Sequence, residues 1–410
     1  MSMNLKNPEN INIDAVSGNP AGGKHPGTGD AGIGVPGGKP RDYLFDNIKA
    51  LLAISMVLVH YIRVSGHCGA GSVSRFLYVT VFFFLMQSFF FISGYFSHNH
   101  DKCRKTAFHK FIVPYIVFMP LMFIARYILW GSAHLRYLHP SHGLWFLLVL
   151  FAYRFFIKDL SRVPQILPIS LIAYFAAGLI PALGTTLALG RTVSFLFFFM
   201  LGYYCNAETI EKIRKTPARA AWLTLAGALA VSAVCAARNY TDYKPLELQQ
   251  IKDDGYYYGL ETGEILISRV VILVMALAFM YVLIRLVPRH RTILTEVGQN
   301  TMTVFLLHIF VRYAVKRYGI PGYPGPVYWE MLIALTAVSV YLFSRPAVSR
   351  AYNKAMDFVY YGIFAPVFNQ VKPVINETLH DGRNALADLY RLYGQKINMT
   401  YHRVHKLPQR

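Results

Sequence analysis

Apolar and polar stretches alternate along the chain from residue 41 onward. Several apolar runs reach or approach the roughly 20 residues that cross a bilayer as a helix, and charged residues, glycine and proline occupy the segments between them. We therefore predict an all-α integral membrane fold. Its transmembrane helices number about ten, at about 43–63, 76–97, 111–130, 143–157, 166–182, 192–205, 220–237, 265–285, 299–315 and 328–344.

The two ends of the chain differ from this pattern. Residues 1–40 are rich in glycine, proline and asparagine and lack the apolar core of a signal peptide, so we predict a disordered leader and a first span that itself targets the membrane. Residues 41–345 form the predicted membrane domain. Residues 346–410 form a basic tail, in which the mixed stretch 356–375 is typical of a helix lying on the inner leaflet.

Basic residues cluster in alternate loops, which predicts the side of the membrane that each loop faces. Because lysine and arginine are retained on the cytoplasmic side, we predict both termini in the cytoplasm and a location in the cytoplasmic membrane. The longest outer loop, 238–264, has more acidic than basic residues, as expected. Lys316 and Arg317, which follow the ninth span outward, run against the rule.

Composition narrows the class of protein further. Only 15% of the residues are charged, against about 25% in soluble domains. The net charge of +20 lies mostly beside apolar segments, where membrane lipids and topology explain it, and no nucleic-acid recognition module accompanies it. The cysteines have neither metal-ligand nor paired spacing, so we expect no metal site and no disulfide framework; they are Cys68, Cys103, Cys205 and Cys235.

Ionisable residues inside the first span indicate a functional face. Lys49 and His60 are eleven positions apart, so they share one helical face about 16 Å apart along the axis. Asp46 and Arg63 lie close to the same face. Such residues are costly in lipid and usually mark a pathway, a pair or a site. The alternative is that Lys49 reaches the inner headgroups, Asp46 pairs with it, and His60 is a packing histidine.

Other spans carry further candidates. Thr301, His308 and Arg312 fall on one face of the ninth span. His142 and Trp145 begin the fourth span, where tryptophan is common as an interfacial anchor. Four arginines near span ends are either lipid-facing anchors or phosphate-binding groups, namely Arg126, Arg154, Arg191 and Arg269.

Six motifs follow one another along the predicted membrane domain: FDNIKALLAISMVLVH (45–60), FFFISGYF (89–96), KFIVPY (110–115), HGLWFL (142–147), RTVSFLFFFMLGYY (191–204) and GQNTMTVFLLH (298–308). In this order they resemble acyltransferase family 3 of bacterial membrane proteins, in particular its fucose 4-O-acetylase branch. The family's first span has a basic residue, ten others and then histidine. Many members have arginine at the basic position, where this chain has Lys49 before His60.

The resemblance implies ten spans and transfer of an acyl group, commonly acetyl from cytosolic acetyl-CoA, to hydroxyls of envelope or secreted carbohydrates. Proteins of polysaccharide assembly are then expected partners. Two alternatives remain open. A polar face crossing the membrane also fits a transporter or exporter of a saccharide or lipid-linked saccharide, and an interaction protein could have kept the spans and lost the chemistry.

Acyl transfer to an alcohol assigns roles to the candidates. We predict His60 as general base or acyl carrier, since burial favours neutral imidazole, and His308 as the second catalytic residue. Lys49 and Arg154 are the predicted contacts of the CoA phosphates. The predicted substrate-binding residues lie toward the acceptor and the developing oxyanion and are His142, Trp145, Arg191 and Arg312.

Overall fold

The computed structural model describes residues 42–140, 142–180, 183, 186–237, 252–253, 256–257 and 262–368. The predicted leader, almost all of the predicted outer loop and the tail beyond residue 368 lie outside the described residues. Two compact units divide the chain, Met1–Tyr352 and Asn353–Arg410.

The first unit is built from helices. In chain order they are α1 Leu44–Val64, α2 Val73–Phe82, α3 Leu85–Tyr95, α4 His100–Ala107, α5 Val113–Trp130, α6 Trp145–Leu160, α7 Ile166–Ala176, α8 Leu189–Tyr204, α9 Ala207–Lys215, α10 Ala218–Ala237, α11 Thr262–Leu286, α12 Thr295–Gln299, α13 Thr301–Tyr318, α14 Pro326–Phe343 and α15 Pro346–Val359, which continues into the second unit. A π-helical turn, Phe108–Ile112, joins α4 to α5, and 3₁₀ turns at His142–Leu144 and Thr186–Ala188 precede α6 and α8.

Strand structure in the described residues is confined to two short antiparallel strands, β1 Lys252–Asp253 and β2 Tyr256–Tyr257. The second unit contains the end of α15 and a π-helical turn at Tyr360–Phe364. Phe358 and Tyr361 are exposed there. That exposure suits a helix at a membrane surface, and the inner-leaflet location stays a prediction.

Seven helical segments of the described residues are long and apolar enough to cross a membrane: Leu44–Val64, Val73–Tyr95, His100–Trp130, Thr186–Tyr204, Ala218–Ala237, Thr262–Leu286 and Pro326–Phe343. The all-helical integral membrane fold is thus confirmed. The other three predicted spans coincide with α6, α7 and α13. Helix α6 has 16 residues and α7 has 11, while α13 carries three basic residues. The count of ten and the cytoplasmic termini stay predictions.

The second predicted span, 76–97, differs from expectation because it is interrupted. Helix α2 ends at Phe82, and α3 begins at Leu85. The interruption lies halfway along the segment Val73–Tyr95. Backbone without a regular helix is tolerated at this depth only where protein surrounds it.

Helix α1 lies among α2, α3, α11, α12, α13 and α14. The buried amide of Asn47 anchors its first turn to the segment before α12. Its Nδ2 donates to the carbonyls of Pro288 and His290 at 2.9 and 3.0 Å. Its Oδ1 accepts from the hydroxyls of Thr292 and Thr295 at 3.0 and 2.7 Å. These four bonds use the full capacity of the amide.

Glycine allows two of the closest helix contacts. A Cβ on Gly94 of α3 would lie 1.9 Å from the carbonyl oxygen of Phe199 in α8. A Cβ on Gly202 of α8 would lie 1.9 Å from the carbonyl oxygen of Phe91 in α3. Only glycine permits the two backbones to meet here, as is common where helices pack within membranes.

Arg269 of α11 is buried between helices, so the prediction of a lipid-facing anchor is wrong for it. Its guanidinium donates to the carbonyl of Tyr174 in α7 and to the Ser194 hydroxyl in α8. A Cβ on Gly178 would lie 2.2 Å from its Nε. The arginine therefore stabilises the packing of three helices.

We predict that Gly202→Ala destabilises the protein, because the new methyl group overlaps a backbone oxygen that cannot move independently of α3. The free energy of unfolding should fall by about 1–3 kcal/mol. Thermal unfolding of the purified protein in detergent measures it. The matched control is Gly227→Ala in α10, where the added Cβ meets nothing within 4 Å. Equal melting temperatures of the two variants would contradict the proposed backbone contact.

Candidate active site

Two predicted catalytic histidines meet in the interior of the helix bundle. Nδ1 of His60 on α1 lies 2.8 Å from Nε2 of His308 on α13. The rings stack with centroids 5.1 Å apart and an interplanar angle of 17°. Nδ1 of His308 lies 2.9 Å from the carbonyl oxygen of Val304, one helical turn earlier. The structure therefore joins α1 and α13 through the two imidazoles, which we call the histidine pair.

The Val304 contact fixes the proton positions in the neutral histidine pair. A carbonyl oxygen only accepts, so Nδ1 of His308 carries a proton and its Nε2 has a free lone pair. Nδ1 of His60 must then donate to that lone pair. This assignment, made from the hydrogen bonds, leaves Nε2 of His60 as an acceptor. His308 is fully buried, whereas part of His60 is exposed, so His60 is the candidate member for contact with a ligand.

His142 reaches the same helix from the 3₁₀ turn before α6. Its backbone is left-handed, with φ of 46°, and its Nδ1 lies 2.9 Å from the hydroxyl oxygen of Tyr313 on α13. A Cβ on the next residue, Gly143, would lie 3.2 Å from the ring of Phe305, so this turn packs closely on α13. Sequence reasoning missed Tyr313, which lies five residues after His308 and does not share its helical face.

Positive charge surrounds this region. The guanidinium of Arg312 interacts electrostatically with His142 and with both members of the histidine pair. Arg63 interacts with His60 and donates to the hydroxyl of Tyr78 at 3.0 Å. Arg312, predicted as an oxyanion contact, therefore lies near the predicted base.

Arg191 and Trp145 form a second pair of predicted residues. The guanidinium lies 4.3 Å from the centroid of the indole, and the indole stacks on Phe195 at 5.5 Å. Rings of Phe146 and Phe305 continue from Trp145 to the histidine pair, with successive centroids 6.2, 5.4 and 6.4 Å apart. An aromatic wall thus connects this pair with the histidines.

The predicted CoA contacts lie elsewhere on the helices. Nζ of Lys49 forms an ion pair with Asp46 at 2.9 Å, which is the local pairing considered as the alternative for this lysine. Arg154 on α6 donates to the Cys103 sulfur at 3.2 Å and interacts electrostatically with Lys110. The structure does not bring Lys49 and Arg154 into contact with each other. Each remains a candidate contact of the CoA phosphates because it is positively charged.

The described residues include no group of three histidine, cysteine or acidic side chains arranged to hold a metal ion. All four cysteines are free thiols. Around the histidine pair the described helices bring together imidazoles, guanidiniums and the Tyr313 hydroxyl. Such groups suit proton transfer and stabilisation of negative charge.

Comparison with protein families assigns the chain. A family model described as an acyltransferase domain, that of acyltransferase family 3, matches residues 42–345. Neither the curated proteins nor the solved structures gave a match. The family comprises membrane acyltransferases that act on carbohydrate or lipid acceptors. The chain therefore belongs to acyltransferase family 3 and is a membrane-bound O-acyltransferase.

Proposed function

We propose that this acyltransferase moves an acetyl group from acetyl-CoA to a hydroxyl of an envelope or secreted carbohydrate, with His60 as the general base. The observation that carries the proposal is the chain of hydrogen bonds from His60 through His308 to the Val304 carbonyl. It orients one partly accessible imidazole with its Nε2 lone pair free. The likeness to the fucose 4-O-acetylase branch favours a sugar as the acceptor.

The proposed reaction balances with the groups present. Nε2 of His60 removes the proton of the acceptor hydroxyl as the oxygen attacks the thioester carbon. A C–O bond forms, the C–S bond breaks, and the departing CoA sulfur takes the proton back from the His60 imidazolium. His308 holds the ring in one orientation throughout. It is a positioning residue, because its two ring nitrogens are both engaged by the protein.

Charge and shape suggest how the acceptor is held. We assign to Arg312, which interacts electrostatically with both members of the histidine pair, the stabilisation of negative charge on the attacked carbonyl oxygen. His142 is partly accessible and offers a second ring to sugar hydroxyls. Trp145 is only 8% exposed and contacts Arg191. Its proposed role is therefore to orient that arginine toward the acceptor.

We assign the phosphates of CoA to the end of α1 that carries Lys49, with Arg154 as a second contact. Lys49 and His60 lie about 16 Å apart along α1. The donor would therefore extend its pantetheine arm along α1 and present its thioester to His60. We propose that the nucleotide lies on the cytoplasmic side of the cytoplasmic membrane, where acetyl-CoA is made. The alternate basic loops of the sequence support both termini on that same side. Polysaccharide-assembly proteins are the proposed partners.

We expect His60→Ala to lower acetyl transfer at least about 100-fold, because it removes the proton acceptor. Mass spectrometry of envelope and secreted glycans, with and without the protein, measures the added acetyl group. His290→Ala is the control, since His290 is an exposed histidine outside the site. A His60→Ala protein of normal abundance that acetylates at the parental rate would contradict the assignment, and saccharide flux without acetylation would favour a transporter.

The positioning role of His308 predicts non-additive kinetics. His308→Ala should lower kcat less than His60→Ala does, because the base remains but loses its orientation. The double variant should have nearly the same kcat as His60→Ala alone, since the effects of residues that act as a unit are not additive. Initial rates of the three variants at saturating donor test this. Independent, multiplying losses would show that the histidines do not act together.

The donor role of Lys49 can be separated from its ion pair with Asp46. Lys49→Met should raise KM for acetyl-CoA about tenfold through the loss of one charged hydrogen bond, and Lys49→Arg should retain most of the affinity. Adding Asp46→Asn to Lys49→Met removes the negative charge that Lys49 balances in the parent. It should recover thermal stability without recovering affinity. An unchanged KM for Lys49→Met would exclude the lysine from the donor site.

A further inference from the structure

The interrupted second span contains polar groups that neither the fold nor the proposed base explains. Gln87 lies in the first turn of α3 and is fully buried. Within the described part of the chain, neither its Oε1 nor its Nε2 has a hydrogen-bond partner. The hydroxyl of its neighbour Ser88 is also buried there without a partner. Burying a primary amide with no partner is unfavourable, so a native structure that keeps one calls for an explanation.

The backbone around Gln87 presents donors of the same kind. Phe84, which precedes α3, makes no side-chain cap hydrogen bond, and the first N–H groups of a helix have no acceptor within it. The side chain of a helical residue points back toward the helix N-terminus. By this rule the Gln87 side chain is expected to extend toward the start of α3. The backbone N–H groups there give the middle of a membrane-spanning segment a positive partial charge.

Neighbouring rings place this region between the two groups of candidate site residues. The ring of Phe82, on the other side of the interruption, lies 6.4 Å from that of His60. Phe90 shares a helical face with Gln87, and its ring lies 6.2 Å from that of Trp145. Helix α3 also packs against α1, along which the donor is proposed to extend. The start of α3 thus lies beside the proposed path of the acyl donor.

We propose that Gln87 and the first turn of α3 bind a carbonyl oxygen of the acyl-CoA donor. The inference rests on the proposed use of acyl-CoA, and it names a donor-binding group outside the motifs of the sequence. Carbonyl oxygen is the ligand that matches, because the Gln87 Nε2 and the backbone N–H groups are donors and the adjacent helix terminus favours negative charge. Insertion of the donor shifts α3 at the interruption, since Gln87 has no water-accessible space beside it.

Two kinds of carbonyl group in the donor have this chemistry. The thioester oxygen gains negative charge when the acceptor oxygen attacks its carbon, and donors at that oxygen would lower the barrier until the C–S bond breaks. The amide carbonyls of the pantetheine arm would instead contribute binding alone. The two differ in whether unacylated CoA makes the contact.

Gln87→Met in the full-length protein in detergent tests the proposal, because methionine keeps the length and removes the polar atoms. Calorimetric titrations use CoA and acetyl-CoA as probes. We expect binding of acetyl-CoA to weaken roughly five- to tenfold and the melting temperature of the free protein to stay equal or rise. A thioester contact spares CoA binding and lowers kcat tenfold or more. An amide contact weakens both ligands equally.

The control is Thr336→Val, which removes a buried hydroxyl of α14 that bonds the Leu332 carbonyl. It should bind both ligands as the parent does. The proposal would be overturned if Gln87→Met kept the parental affinity and the parental kcat. It would also be overturned if the variant lost stability while affinity and kcat stayed at the parental values. If the parent itself binds neither ligand, the proposed acyl-CoA function fails; if the parent binds and Gln87→Met binds equally, only the role of Gln87 fails.

Discussion

The hydrogen bond between His60 and His308 requires two spans that are far apart in the sequence to meet inside the bundle. The pair is 248 residues apart along the chain. Its geometry depends on α1 and α13 being held at a fixed rotation about their own axes. A turn of either helix by one residue would move an imidazole about 100° away from its partner. The contacts that fix α1 therefore determine whether the proposed base is correctly oriented.

Several of those contacts are polar or backbone contacts rather than apolar ones. Lipid tails are as apolar as leucine, so helices in a membrane associate through close packing and hydrogen bonds. Asn47 ties the start of α1 to the segment before α12 with four hydrogen bonds. A Cβ on Gly298 would lie 1.7 Å from the Asp46 carbonyl oxygen, so α12 also touches α1 backbone to backbone. These contacts hold the helix that carries His60.

Buried polar residues of this protein fall into two groups according to their partners. Asn47 and Arg269 have donors or acceptors supplied by other helices, and their contribution is to stabilise packing. His60 remains partly accessible, and the Gln87 amide has no partner within the described residues. In a low-dielectric interior a fully hydrogen-bonded polar group is stable without a ligand. On our proposals His60 and Gln87 gain further contacts from the substrates.

The interrupted second span shows a limit of local sequence patterns. No glycine or proline marks the change from α2 to α3, which occurs between phenylalanines in a continuous apolar run. Hydrophobicity predicts that such a segment is buried, and it does not predict where the helix stops. The short α6 and the basic α13 coincide with predicted spans, although they fall short of the length or apolar character of the other seven segments.

The sequence alone determined the helical membrane fold and the resemblance to acyltransferase family 3, and it singled out Lys49, His60 and His308 as candidates, because apolar length and the cost of charge in lipid are local properties. Helical periodicity also showed which residues share a face of one helix. Only the tertiary structure decided which helix each face meets. That is why it was needed to pair His60 with His308, to join Tyr313 to His142, and to show that no other described residue bonds the Gln87 amide: hydrogen bonds between spans depend on how distant segments pack.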